Sequence, residues 1–195
     1  VTLDLSTLLG SGGVATVTGG SGADSITGGS GNDVISSGAG NDIISGGAAG
    51  TENISGGAGD DTITIAAAGS HTVDGGAGTD SLTITNASGA NTNTFSHITG
   101  IETLVLGGST GVTATIGNDT YLANLTGTSG ADVLTFSAAA AISINAGSTV
   151  AADSFTCSSS ADTLTFTSDL GVGGSTLASI DGGAGNDTIT LKTSG

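Results

Sequence analysis

The chain has 195 residues, with seventeen Asp and Glu, one Lys and no Arg, for a formal net charge of −16. That balance excludes nucleic acid and anionic membrane surfaces as expected partners, since both call for clustered basic side chains. No run approaches the roughly 18 apolar residues of a membrane span, so no membrane insertion is expected.

Residues 1–18 (VTLDLSTLLGSGGVATVT) set Leu3 and Leu5, then Val14 and Val17, around a Gly-Ser turn. They suit one or two entering coils without metal motifs, with Asp4 a solvated acid. The stretch has no basic n-region and no clear cleavage site, so it is not expected to be a signal peptide.

From Gly19 to Thr64 the sequence reads GGSGADSIT, GGSGNDVIS, SGAGNDIIS, GGAAGTENIS, GGAGDDTIT, five copies of a unit about nine residues long. A fixed period of this kind is a structural repeat and is read before local propensity. Each copy is a glycine-rich hexapeptide ending in an acid, with an apolar residue two positions later. The acids are Asp24, Asp33, Asp42, Glu52 and Asp61, and the apolar partners are Ile26, Ile35, Ile44, Ile54 and Ile63. An extra Ala48 or Ala49 lengthens the fourth step.

Glycine reaches backbone conformations closed to other residues and lets carbonyl oxygens crowd together. An acid beside those carbonyls adds a carboxylate, so turns from successive coils could surround a hard cation with oxygen. Calcium, which takes 6–8 oxygens at flexible geometry, suits such a site better than magnesium. The residues after each acid alternate polar and apolar like a very short strand with Ile inward. Two units make one coil of about 18 residues, and the whole chain suits about ten coils. Acids two units apart then fall above one another, as Asp24 with Asp42, Asp33 with Glu52 and Asp42 with Asp61. Stacked carboxylates repel until metal binds, so folding is expected to be conditional on the cation.

The pattern GGxGxDx(apolar)x resembles the RTX nonapeptide repeat of bacterial secreted proteins. The resemblance implies an all-β fold, a parallel β-roll or β-helix solenoid with several calcium ions in its Gly/Asp-rich turns. It is close over 19–64, recurs at Gly75–Thr83 and Gly182–Thr190, and is degenerate between. The family includes toxins, proteases, lipases, adhesins and surface-layer proteins, so the repeat names a module and not a task. The expected metal-binding residues are Gly20, Gly22 and Asp24, Gly29, Gly31 and Asp33, Gly38, Gly40 and Asp42, Glu52, Gly57, Gly59 and Asp61, Gly76, Gly78 and Asp80, then Asp132 and Asp187.

Beyond residue 64 the motif decays. His71 stands at the acid position two before Val73, a substituted turn expected to have lost its calcium, since no second His or Cys lies at ligand spacing. GGAGTDSLT restores the pattern at Asp80 and Leu82, 19 residues after Asp61, with one residue expected in a bulge. Asp60 and Asp74 sit beside motif positions as outer ligands or exposed acids. Residues 84–126 alternate apolar and Thr at strand period, with Leu104, Leu106, Val112, Ala114, Ile116, Leu122 and Leu125 as inward candidates. Their run Gly100-Ile101-Glu102-Thr103-Leu104 resembles runs common in RTX surface-layer proteins and adhesins. Glu102 is read as turn-stabilising or solvated in preference to a ligand, and His97 as a bland substitution like His71. After Gly127 the motif returns at Asp132, Asp153 and Asp162, the last two without their glycines, and in full at Asp187 with Ile189. Cys157 excludes an internal disulfide and reads as a small apolar filler, with no neighbouring base to activate it.

The chain is thus divided into entering coils over 1–18, a calcium β-roll over 19–83, irregular coils over 84–126 and degenerate repeats over 127–195. No HExxH, CxxC or phosphate-cradling GxxxxGK occurs. Gly107–Gly111 matches G-x-S-x-G formally, but chance explains it in a chain with 37 glycines. An enzyme is not expected. The ending LKTSG does not resemble the C-terminal signal of type I secretion that RTX relatives use, so the chain reads as a piece of something longer. The expected function is a structural, calcium-binding solenoid of a secreted bacterial surface-layer protein on the cell surface. It would self-associate into a lattice or filament, with a cell-surface polysaccharide as a possible anchor. The alternative is the calcium-folded module of a larger secreted adhesin, toxin or hydrolase.

Overall fold

The computed structural model describes residues 1–6, 12–47, 49–66, 69–85, 91–107, 112–116, 122–126, 133–136, 143–146, 153–157, 161–166 and 177–191. Regular structure among them is entirely β-strand, in two sheets whose strand pairings are all parallel. The first sheet holds ten strands: Thr2–Asp4, Ser25–Thr27, Ile43–Ser45, Thr62–Ile65, Ser81–Thr85, Thr103–Gly107, Leu122–Thr126, Ser143–Ala146, Thr163–Phe166 and Thr188–Leu191. The second holds nine: Thr16–Gly20, Val34–Ala39, Asn53–Ala58, Ser70–Ala77, Asn91–Thr99, Val112–Ile116, Val133–Phe136, Asp153–Thr156 and Leu177–Asp181.

Consecutive strands fall in opposite sheets, and each strand pairs with the next but one. Parallel neighbours need a long crossover; here the strand of the facing sheet supplies it, and the chain winds as a solenoid. This is the all-β architecture that the nonapeptide period predicts.

The register stacks like on like. Ile26, Ile44, Ile63, Leu82 and Leu104 align across the first sheet. Val17, Ile35, Ile54, Val73 and Ile98 align across the second. Period-two alternation turns these rows inward, and all of them are buried. Each such side chain contributes about 1.5–3 kcal/mol by leaving water. A second inward row, Ile65, Ile84 and Leu106, begins only in the fourth coil. One coil earlier Gly46 holds that place, and a Cβ there would press on Ile65 Cδ1.

Several details depart from expectation. Val14 points outward at 62% exposure, and Ala15 and Val17 face the core instead. Ile189, on the outermost strand of the first sheet, is 42% exposed. The lengthened coils before Asp61 and Asp80 need no bulge there. Asn53–Ala58 pairs with Ser70–Ala77, and Thr62–Ile65 with Ser81–Thr85, without a register shift. The extra residue is absorbed in the turns that follow Ser45 and Ile65. A register shift does occur later, between Phe95 and His97. Leu104 and Leu106 are buried as expected. The side chains of His97, Val112, Ala114, Ile116, Leu122 and Leu125 lie outside the described residues. The two ladders run across residues 18, 83 and 126, where the repeat changes quality.

Candidate metal centre

Short turns join the sheets along two edges. On the first edge, the acid before each strand of the first sheet stacks on its counterpart one coil away. The backbone N–H of Asp24 donates to Asp42 Oδ1 at 2.7 Å, that of Asp42 to Asp61 Oδ1 at 2.8 Å, and that of Asp61 to Asp80 Oδ1 at 2.8 Å. On the second edge, Ala15 donates to Asp33 Oδ1 at 2.7 Å and Asp33 to Glu52 Oε2 at 3.0 Å. The pairings read from the repeat spacing are those the coils bring together. The N-terminal amino group of Val1 bonds Asp24 Oδ1, in the place an acid's N–H takes in later coils. Together with the Gly20 N–H, it holds the Asp24 carboxyl below the usual range.

One carboxylate oxygen therefore caps a neighbouring coil, and the second oxygen divides the repeats into two kinds. In the first two repeats it is taken internally: Gly20 N–H donates to Asp24 Oδ2 at 2.8 Å and Gly29 N–H to Asp33 Oδ2 at 2.7 Å. In the later repeats Gly38, Gly47, Gly57 and Gly76 adopt φ between 103° and 112°, and Asp42 Oδ2, Glu52 Oε1, Asp61 Oδ2 and Asp80 Oδ2 are buried without a hydrogen-bond partner. An unpaired buried polar atom costs about 1–3 kcal/mol, more when charged, so three such oxygens stacked on the first edge and one on the second call for cations.

Carbonyls meet these oxygens. A Cβ on Gly56 would strike both Asp61 Oδ2 and the Gly75 carbonyl, and one on Gly75 would strike the Gly100 carbonyl and Asp80 Oδ2. On the second edge, Gly28 sits likewise between Asp33 Oδ2 and the Gly46 carbonyl. At these three places a side chain would collide with both oxygens. Gly38, Gly57 and Gly76 in turn lie on the carbonyls of Gly20, Gly38 and Gly57. No group of three or more His, Cys, Asp or Glu side chains converges among the described residues. Main-chain oxygens must then make up most of any ligand set, as calcium tolerates. The residues present fit calcium.

Burial raises three of these acids, Glu52, Asp61 and Asp80. Glu52 is pushed up to about 7, chiefly by desolvation and further by the charge of Asp33. Asp80 is pushed up to about 6 by desolvation, with Asp61, Glu102 and Asp60 adding repulsion. Asp61 is raised for the same first reason, with Asp42 and Asp60 contributing.

His71 is fully buried at the acid position, and its Nδ1 accepts the Glu52 N–H at 3.2 Å. It keeps the acid's capping role without a carboxylate. Cys157 is buried in the core, and desolvation pushes its thiol up to about 12. Asp162 donates its N–H to Asp187 Oδ1 at 3.0 Å. Asp162 thus pairs with Asp187, 25 residues on. Asp181 closes its own turn onto the Gly183 N–H. Asp132 lies outside the described residues.

Three features were not singled out from the sequence. The first glycine of each doublet (Gly19, Gly28, Gly56, Gly75) is the one that abuts the carboxylate, and the recurring GG was its signal. An exposed second ladder runs beside the acids: Thr51 N–H to Asn32 Oδ1, Asp60 N–H to Asn41 Oδ1, and Thr79 N–H to Asp60 Oδ1, at 2.9–3.0 Å. Its signal was the Asn or Asp preceding Asp33, Asp42 and Asp61. Third, Ser37 occupies a first-glycine position, fully buried, with its hydroxyl donating to the Gly56 carbonyl at 2.7 Å.

Parallel coils with stacked glycine–acid turns define a calcium-binding β-solenoid. Residues 9–44, 46–82 and 173–191 match the family model of the RTX calcium-binding nonapeptide repeat, in four copies. Over these residues the chain carries RTX repeats. No curated protein and no solved structure gives a significant match. The first matched segment begins before Gly19, which agrees with Gly12 and Gly13 lying under Ser30 and Gly31 as a repeat with Ala15 in the acid position.

Proposed function

We propose that this chain is a structural solenoid that calcium folds outside the cell, part of a secreted bacterial surface-layer protein and without catalytic activity. One observation carries the proposal: buried carboxylate oxygens without partners, those of Asp42, Asp61 and Asp80 stacked at coil spacing on the first edge and that of Glu52 on the second. On the first edge Asp42 and Asp61 with the carbonyls of the Gly38, Gly57 and Gly76 turns would hold ions, and on the second Glu52 with the Gly47 turn. Bound calcium supplies the positive charge that offsets repulsion along each column. The chain's own residues set the spacing, because every N–H-to-carboxylate bond fixes one coil over the next. Extracellular calcium modules bind at about 10⁻⁴–10⁻³ M, so such a chain stays loose in a cell and stiffens on export.

The surface-layer reading is supported by a solenoid that occupies the described length and by outward apolar side chains at Val34, Ile43 and Val133. These sit on the sheet faces, where copies could pack side by side. Circular dichroism and electron microscopy, with excess EGTA and then about 5 mM calcium, test both levels. A β spectrum and ordered sheets or filaments that appear only with calcium are expected. A β spectrum indifferent to EGTA removes the calcium reading. A calcium-dependent fold that stays a monomeric rod removes the lattice and favours a module of a larger adhesin, toxin or hydrolase.

A further inference from the structure

The acid column of the first edge does not stop where the nonapeptides stop. The Asp80 N–H donates to Glu102 Oε2 at 2.7 Å, as Asp42 does to Asp61 and Asp61 to Asp80. Glu102 lies 22 residues beyond Asp80 and outside the matched segments, the second of which ends at residue 82 while the third begins at 173. It nevertheless occupies the acid position, because Leu104 aligns with Leu82 as Leu82 does with Ile63. Both the Glu102 and Thr103 N–H groups return to the Asp80 carbonyl, at 3.1 and 3.0 Å. The turn has the right backbone as well. Gly100 has φ of 62°, its carbonyl lies against Gly75, and a Cβ on it would collide with the N and O of Gly76. A glycine turn thus rests on a glycine turn without any nonapeptide in the upper one.

A stacked acid and a glycine would not by themselves mark a site. The independent observation is Asp80 Oδ2, on a side chain 1% exposed and without a hydrogen-bond partner. It stands beside Gly75, where the Gly100 carbonyl also arrives. Two oxygens, one of them an orphaned carboxylate oxygen, therefore face the same glycine from successive coils.

We propose that the Thr99–Glu102 turn forms the upper half of an additional divalent-cation site, with Asp80 Oδ2 and the Gly100 carbonyl as inner ligands and Glu102 as the second carboxylate. The site takes calcium, since its donors are all oxygen and come partly from a flexible main chain. It extends the first edge by one ion beyond the repeats. The inference rests on the calcium reading above, and its test separates the two.

The whole chain is stripped with EGTA, titrated with calcium alone, and its bound ions are counted by native mass spectrometry, for wild type, Glu102→Gln and Glu102→Ala. Glutamine keeps an oxygen to accept the Asp80 N–H but removes the charge. The expected result is one ion fewer in both variants, with the β spectrum of Glu102→Gln in calcium like that of wild type. A wild-type ion count in Glu102→Gln overturns the proposal and leaves Glu102 as a cap on the coil below. Wild type that binds no calcium overturns this site together with the function it rests on. If Glu102→Ala does not fold, the Glu102→Gln count alone decides.

Discussion

The repeats over 19–33 and those over 37–80 share a motif and differ in one backbone choice. In the first group Gly20 and Gly29 give their N–H to the acid four residues on, and both carboxylate oxygens of Asp24 and Asp33 are used. In the second, Gly38, Gly57 and Gly76 turn to φ above 100°, and one oxygen of Asp42, Asp61 and Asp80 is left without a partner. The third motif residue follows the division: Ser21 and Ser30 in closed turns, Ala39, Ala58 and Ala77 in open ones. In the open turns these alanines pair across coils, Ala39 with Ala58 and Ala58 with Ala77, which carries the second sheet further round the edge. A glycine's φ thus decides whether a carboxylate serves the chain or waits for a cation.

The sharpest way to break that contrast is to remove one acid of each kind. Asp42→Ala deletes an oxygen that waits for metal and orphans the Asp24 N–H, so its calcium midpoint should rise roughly tenfold, about 1.4 kcal/mol of binding. Asp33→Ala orphans the N–H groups of Ala15 and Gly29, and should lose about 1–3 kcal/mol for each that stays dry, by a similar amount at every calcium concentration. Denaturant melts across a calcium series distinguish the two; equal calcium midpoints would erase the distinction between open and closed turns.

A smaller effect separates the glycines. At Gly38 a Cβ meets the Gly20 carbonyl and the backbone is left-handed, whereas at Gly20 it meets nothing within 4 Å. Gly38→Ala should cost about 1–2 kcal/mol from the left-handed conformation alone, with more from the collision, and Gly20→Ala well under that. Thermal melts in saturating calcium read the difference.

The smallest is a dependence on pH of the residual folded fraction left in EGTA. Folding raises Glu52 to about 7 and Asp80 to about 6. The folded state therefore binds more protons than the unfolded one from roughly pH 4 to pH 7, and metal-free stability should fall as pH rises through that window. Saturating calcium should flatten the slope, because the cation competes with those protons. A metal-free protein more stable at pH 8 than at pH 5 would contradict the assigned burial.

The period of nine and the offset from acid to Ile were enough to place the coils, the parallel register and the stacking of Asp24, Asp42 and Asp61. They missed features that depend on main-chain geometry. Asp33 was grouped with Asp42 because both end a G-x-G-x-D run, and only the glycine φ separates them. The sequence reads Glu102 as turn-stabilising or solvated; it does cap the Asp80 N–H, and what the period of nine hides is its acid phase, reached 22 residues on through a longer coil with a register shift between Phe95 and His97. The sequence reads His71 as a substituted turn without calcium, and does not show that its imidazole nitrogen accepts the Glu52 N–H as a carboxylate oxygen would.

From Asp24 to Asp80 each coil of the first edge bonds the next through the same few contacts, from one acid, one N–H and one inward aliphatic side chain. Such an object has no preferred length. Duplicating an 18- or 19-residue segment between Ile44 and Ile63 would create an interface already present on either side, so the gene can grow or shrink by slippage without inventing a new surface.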